Sequence, residues 1–515
     1  MKAGGTRKSK PLNIDQVISL AADHYIELDP EAAAIMVPQM EAILTEIYSV
    51  DDIAYPSAEV RYSDRTYEDL STLQNDIYNV FVRRCLVKGA PEGKLAGLRI
   101  GIKDNIKVAD IPMSNGSRVI EDFVPEVDAI VVERILDNGG TIVGKLNLDS
   151  FSMGATGESS EFGPTMNPHN TDYSPGGSSA GSGAAVAAGE VDVALGVDQG
   201  GSARIPASWC GVVAMKATHG LVPSFGISYV DHTLDNVCPM ARTVSDVATT
   251  LEVIAGEDVK DPQWVRGPLR TKKYGELLDQ DIAGVRVGVI EESLMWSDSE
   301  RDVNESVLKR VEDLKLSGVQ VNTVSLPWWK NCEAVILAIM THSLSAMVES
   351  DLEGYWRGGL CDPAWQEVFG QARRESGHLL NPLLIVHMIL AKYLQNEHCS
   401  VYFSKAQNVR HTMTGYLDDV LKEYDVLVTP TTPMKAVPLP TREETKVKDG
   451  KQRSLFRNNR NTCPLNLTGH PAISLPSGIS DSGLPIGIQL IGRYFEEDLL
   501  FMVASTIEEV VTSEQ

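Results

Sequence analysis

The stretch Ser174-Pro-Gly-Gly-Ser-Ser-Ala-Gly-Ser-Gly183, continued by Asp198-Gln-Gly-Gly-Ser-Ala-Arg-Ile-Pro206, decides how this chain is read. Each half places a serine after a glycine pair, Ser178 and Ser202, and the two lie 24 positions apart. Glycine reaches backbone angles that other residues avoid. Consecutive amides around such turns can therefore converge on one point, as stabilisation of a developing oxyanion requires. The candidate donors are the N–H groups of Gln199, Gly200, Gly201 and Ser202. A Gly/Ser loop alone is a weak signal, so its neighbours carry the weight. Asp198 and Arg204 flank the second turn and can clamp it with a charge-assisted hydrogen bond. Ser179 and Asp104 are further candidates for structural support, Asp104 as a second partner for Arg204. Upstream, Leu98-Arg-Ile-Gly-Ile-Lys103 ends an alternating strand pattern on a lysine. Most lysines are solvated, but one buried among small residues loses its charge and can act as a base. Lys103, Ser178 and Ser202 together form a set able to do nucleophilic acyl chemistry without histidine or metal.

Working outward, Leu98–Lys103, a helical pattern over 128–138 ending at Gly139-Gly140, and the strand-like Thr141-Ile-Val-Gly-Lys145 make a βαβ unit, which predicts a largely parallel sheet. Further strands are expected at 191–197, 212–215, 285–290, 319–326, 425–428, 472–475 and 486–490. Helices are expected at 184–190, 243–255, 300–316, 332–350 and 495–510. Before this body, Asn13 with Gln16 forms a capping-box pattern, and Asp29-Pro30-Glu31 opens a second helix that Pro38 should kink. A third helical pattern spans about 66–84. The expected organisation is a disordered tail over 1–12, a helical extension over 13–90 and one large domain over 91–515. Long connections are expected at 256–283 and 434–456.

The chain has 515 residues, 43% apolar and 23% charged, with a formal net charge of −24. That balance argues against a nucleic-acid or anionic-membrane partner, because phosphates would be repelled. Seven scattered cysteines, with no CxxC, argue against a disulfide framework and favour a reducing, cytoplasmic setting. No apolar run approaches the length of a membrane span. There is no HExxH, no GxSxG elbow with a plausible partner, no GxxxxGK[ST] and no GxGxxG opening a helix after a strand. A metal hydrolase, a Ser-His-Asp enzyme and a nucleotide-binding protein are unsupported, and neither metal nor cofactor is expected.

With these residues in view, the chain resembles the amidase signature family of Ser–Ser–Lys amide hydrolases. The resemblance rests on Gly101-Ile-Lys103-Asp104, Gly163-Pro-Thr-Met-Asn167-Pro168, Pro175-Gly-Gly-Ser-Ser179, Asp198-Gln-Gly-Gly-Ser202 with Arg204 and Pro206, Cys210-Gly-Val-Val, Pro239-Met-Ala-Arg242, Gly469-His-Pro-Ala-Ile-Ser-Leu-Pro and Gly483-Leu-Pro-Ile-Gly-Ile-Gln-Leu-Ile-Gly492. It implies a three-layer α/β/α fold around a central mixed, largely parallel sheet. It implies Ser202 as nucleophile, Ser178 as a bridging serine after a cis peptide, Lys103 as base, and no cofactor. The Asp-Gln-Gly-Gly-Ser form and the helical extension resemble the enantioselective amidases of nitrile metabolism, which implies a homodimer through the N-terminal helices. Ala180 and Ala203 depart from the family pattern, and Ala203 puts substrate choice in doubt.

The leading expectation is hydrolysis of a small organic carboxylic amide to acid plus ammonia or amine, with the small amide as partner and neither nucleic acid nor membrane. The alternatives are a carbamate or ester hydrolase of the same family, the A subunit of a glutamine-dependent tRNA amidotransferase, and a scaffold protein on the same fold. Pocket walls are expected from 325–400 and 434–465. Trp328, Trp329, Trp356 and Trp365 are candidates to line the pocket, though core packing is the commoner role of such residues.

Overall fold

The computed structural model describes residues 11–53, 60–68, 76–261, 263, 271–355, 358–440 and 457–514. The chain divides into two compact units, Met1–Glu59 and Val60–Gln515. In the first, the helix Ile14–Asp23 begins at Asn13, whose side chain accepts from Gln16 N while Gln16 returns the bond. A second helix, Pro30–Tyr48, starts where Asp29 Oδ1 accepts from Ala32 N at 2.8 Å, and it continues through Pro38.

The second unit is built on one sheet. Its strands are β1 (Arg65–Tyr67), β2 (Phe81–Lys88), β3 (Arg99–Lys103), β4 (Thr141–Leu146), β5 (Val193–Asp198), β6 (Val213–Lys216), β7 (Asn236–Ala241), β8 (Arg286–Ile290), β9 (Gln320–Val324), β10 (Val426–Pro430), β11 (Ala472–Ile479) and β12 (Pro485–Ile491). They lie in the order β1-β2-β4-β3-β5-β7-β6-β11-β12-β10-β8-β9. The sheet is mixed. Parallel pairs β3/β4, β3/β5, β8/β10 and β8/β9 flank an antiparallel centre running from β5 to β10. Antiparallel pairing thus takes a larger share than the βαβ reading implied, because β7 and the β11–β12 hairpin enter against their neighbours. Along β5, Val193, Leu195 and Val197 join one apolar cluster and Ala194 another. Both faces are therefore covered by helices, as the period-two alternation of a strand requires.

The described residues of 66–84 form no helix, where one was expected. β1 and β2 occupy its two ends, with residues 69–75 outside the described set. Phe81-Val-Arg-Arg-Cys-Leu-Val-Lys88 holds too short an apolar run for periodicity to separate helix from strand, and pairing with β4 decides for strand. The helix Pro327–Glu349 is long and apolar enough to cross a membrane by length and composition. Ile336, Ile339, Leu344 and Val348 are buried against the body, so it serves as a core helix here. The expected tail at 1–12 and the 434–456 connection fall largely outside the described residues.

Candidate active site

β3 carries Lys103 to its C-terminal end, where the side chain is fully buried. Its Nζ donates to Ser178 Oγ at 2.8 Å. Burial pushes the amine down to about 7, against the pull of Asp149, Asp235 and Asp198 in the other direction. Burial also raises Asp235, to about 8, although the backbone N–H groups of Val230 and Asp231 donate to its Oδ2 at 2.7 and 3.1 Å. A low-dielectric pocket disfavours the charged form of both groups.

Ser178 follows a cis peptide bond from Gly177 and is fully buried. Gly177 is required by close approach: a Cβ there would lie 2.1 Å from Asp149 Oδ2 and 2.7 Å from Thr156 N. The next residue, Ser179, ties this turn to β5, since its hydroxyl donates to Val197 O at 3.1 Å and accepts from Val197 N at 3.2 Å. Ser179 N donates to Ser202 O at 3.0 Å, which joins the two serine turns directly. Among the described residues, no hydrogen bond links the Ser178 and Ser202 hydroxyls.

The Ser202 turn hangs on Asp198 and Arg204, both fully buried. Arg204 Nη2 and Nε donate to the Asp198 carboxylate at 2.8 and 3.0 Å. Burial raises this carboxyl, but Arg204 and Asn466 overcome that and hold it well below the usual carboxylate range. Arg204 also reaches Thr462 O, Gln489 Oε1 and Asn466 Oδ1 at 2.7–3.0 Å. Gly201, at φ +127°, leaves room for Thr462, whose hydroxyl donates to Gly200 O at 2.8 Å.

Two expectations change here. Asp104 does not reach Arg204; it pairs with Lys145 at 2.9 Å and accepts from Ser114, because β4 brings Lys145 beside it. The Gly201 amide does not face the cleft either, because it donates to Asp198 Oδ1 at 2.8 Å. The N–H groups of Gln199, Gly200 and Ser202 have no acceptor among the described residues.

Ser202 opens on a cleft of about 540 Å³, its mouth included. Gln199, Gly200 and Ile205 form its floor with Ser202, Met153, Val230, Ile336, Met340 and Leu383 give apolar walls, and His387 and Asn459 add polar groups. The expected wall segments do contribute Ile336, Met340, Leu383, His387 and Asn459. The wall from 152–155 was not anticipated, since nothing in Ser152-Met-Gly-Ala155 marks it as a wall. Trp329 and Trp365 are fully buried in the core, Trp328 packs between two apolar clusters, and Trp356 lies outside the described residues. Ala203 packs into the apolar cluster with Ala184, Ala207 and Val212 and does not line the cleft. Asp149 and Asp235 were also missed. Each is a lone acid in the sequence, and only the fold brings them near Lys103.

A family model described as Amidase matches residues 83–501. The glutamyl-tRNA(Gln) amidotransferase A chain from Haloarcula marismortui is 37% identical over 432 residues, 84% of this chain and 99% of that protein. The crystal structure of its counterpart from Thermotoga maritima superposes with a TM-score of 0.68 at 34% identity, covering 82% of this chain and 84% of that one. Native peptide amidase from Stenotrophomonas maltophilia gives a TM-score of 0.67 at 29% identity, covering 82% and 84%. The chain belongs to the amidase family, enzymes that hydrolyse the carbon–nitrogen bond of amides.

These names correct the expectation about partners. The similar proteins include subunits of an amidotransferase named for glutamyl-tRNA(Gln), so a self-sufficient homodimer with a small amide as its only partner does not stand. The negative charge of the chain bears on direct contact with phosphate and not on membership of a larger assembly. The names likewise give no support to the narrower nitrile-metabolism group.

Proposed function

We propose that this chain releases ammonia from a carboxamide through an acyl-enzyme on Ser202. The observation that carries the reading is the buried 2.8 Å contact between Lys103 Nζ and Ser178 Oγ, made by an amine whose affinity for its proton falls to about 7. Uncharged Lys103 takes the Ser178 proton across that contact as Ser178 takes the proton of Ser202. Ser202 Oγ attacks the amide carbon, and the N–H groups of Gln199, Gly200 and Ser202 receive the oxyanion. The proton returns along the same path to the departing nitrogen as the C–N bond breaks. Water then adds to the acyl-serine, its proton passing to the relay, and releases the acid. Labelling with a fluorophosphonate tests this reading: the adduct belongs on Ser202, and an unlabelled Ser202 in a folded protein overturns it.

The named relatives favour glutamine as the ammonia source, with the chain working as one component of an amidotransferase. The cleft favours a second reading, in which the acyl group is uncharged. No Asp, Glu, Lys or Arg is among its described lining residues. Free glutamine would bring an ammonium and a carboxylate into a wall that offers neither a counter-ion, and burying an unpaired charge is costly. Ammonia release from glutamine and from neutral amides, measured side by side, separates the two. On the second reading, kcat/KM for the better neutral amide exceeds that for glutamine at least about ten-fold, the worth of roughly one unpaired polar contact. Seven free cysteines accord with a reducing compartment, and we place the enzyme in the cytoplasm.

A further inference from the structure

Among the described residues, His387 is the one imidazole on the cleft wall, set among Leu383, Ile336 and Met340 on the helices Pro382–His398 and Cys332–Glu349. It is 5% exposed, and its Nδ1 lies 3.0 Å from Thr341 Oγ1. Burial lowers its affinity for a second proton, and no carboxylate among the described residues lines the cleft to restore it. The imidazole is therefore neutral and carries one N–H.

Thr341 decides which nitrogen holds that hydrogen. Several helical threonines elsewhere in the chain spend their hydroxyl proton on the carbonyl four residues back, as Thr250 does on Asp246 O at 2.7 Å and Thr414 on Arg410 O at 3.0 Å. Thr341 makes no such bond; its described partner is His387. A hydroxyl with no other described acceptor is satisfied by donating to Nδ1, and that choice assigns the imidazole hydrogen to Nε2. The hydrogen bond at one ring nitrogen sets the tautomer at the other. Nε2–H has no protein acceptor among the described residues, and it is the donor that this wall leaves for a ligand.

We propose that His387 selects the acyl group of the substrate by donating from Nε2 to an uncharged hydrogen-bond acceptor, such as a ring nitrogen, ether or carbonyl, carried on an otherwise apolar acyl chain. This rests on the acyl-enzyme reading of Ser202 and on the reading of the cleft as a site for an uncharged acyl group. Thr341 is a positioning residue, acting through the imidazole.

The test uses the full chain and four amides of nearly one shape: benzamide and the three pyridinecarboxamides. A ring nitrogen also makes the carbonyl more reactive, but that intrinsic effect is the same for every variant. The readout is therefore the change, between wild type and variant, in the kcat/KM ratio of the preferred pyridine isomer over benzamide. His387→Leu should lower this ratio about 3- to 10-fold, the worth of one neutral hydrogen bond. His387→Gln, which retains an N–H donor, should recover most of it. Thr341→Val, which frees the tautomer, should lower it about 2-fold. An unchanged ratio in all variants that fold, with amides still turned over, overturns the role of His387 and leaves the acyl-enzyme reading in place. A wild type that hydrolyses none of the amides and takes no label on Ser202 overturns both.

Discussion

Three carboxylates pull the proton affinity of Lys103 up and the loss of water pulls it down, and burial prevails. On the proposed mechanism the amine works as a base above about 7, so kcat/KM should climb as pH rises through that value and level off above it. A profile that falls over this range would exclude Lys103 as the base. The same shift bears on stability. Between about 7 and the ordinary 10.5 the unfolded lysine holds more protons than the folded one. Its contribution to folding therefore improves as pH rises through that window. Lys103→Met keeps the volume without the amine and should cost on the order of 10²–10⁴ in turnover, the usual worth of a general base. Ser202→Ala should fold, lose activity by on the order of 10³ or more, and resist fluorophosphonate. Mass spectrometry of the labelled peptide reads both.

At the scale of elements, the Ser202 turn is a loop held by a buried ion pair. Arg204 neutralises Asp198 and fastens the turn to Thr462, Asn466 and Gln489. Arg204→Met would leave the Asp198 carboxylate buried without a countercharge and should cost about 3–5 kcal/mol, read as a lowered midpoint in urea. The clamp was legible in sequence because both partners belong to one nine-residue stretch. So were β3, β4, β5 and the glycine turns, where local pattern and final structure coincide. Two features were not. β7, Asn236-Val-Cys-Pro-Met-Ala241, contains a proline that argues against a central strand, yet it pairs on both sides. The loss of the Gly201 amide to Asp198 depends on how the turn closes, which composition does not encode.

Over the whole molecule, burial sorts the chemistry of the side chains. Cys85, Cys210, Cys238, Cys332 and Cys463 are buried, while Cys361 and Cys399 are exposed. Native protein should react with a thiol reagent at two sites, and denatured protein at seven; additional fast thiols in the native state would contradict the packing. The cleft walls drawn from 325–400 and 434–465 were legible only as broad segments, since side chains from six separated stretches meet there by tertiary contact alone.

The reach of Arg204 to Gln489 spans 285 positions, and it joins β5's turn to a strand near the end of the chain. During synthesis, the ribosome delivers both serines and the lysine long before Thr462, Asn466 and Gln489, which fasten the Ser202 turn from a distance. On the proposed mechanism, a nascent chain stopped short of β12 would carry Lys103, Ser178 and Ser202 but lack the Gln489 anchor of Arg204, and should hydrolyse amides more slowly than the full chain.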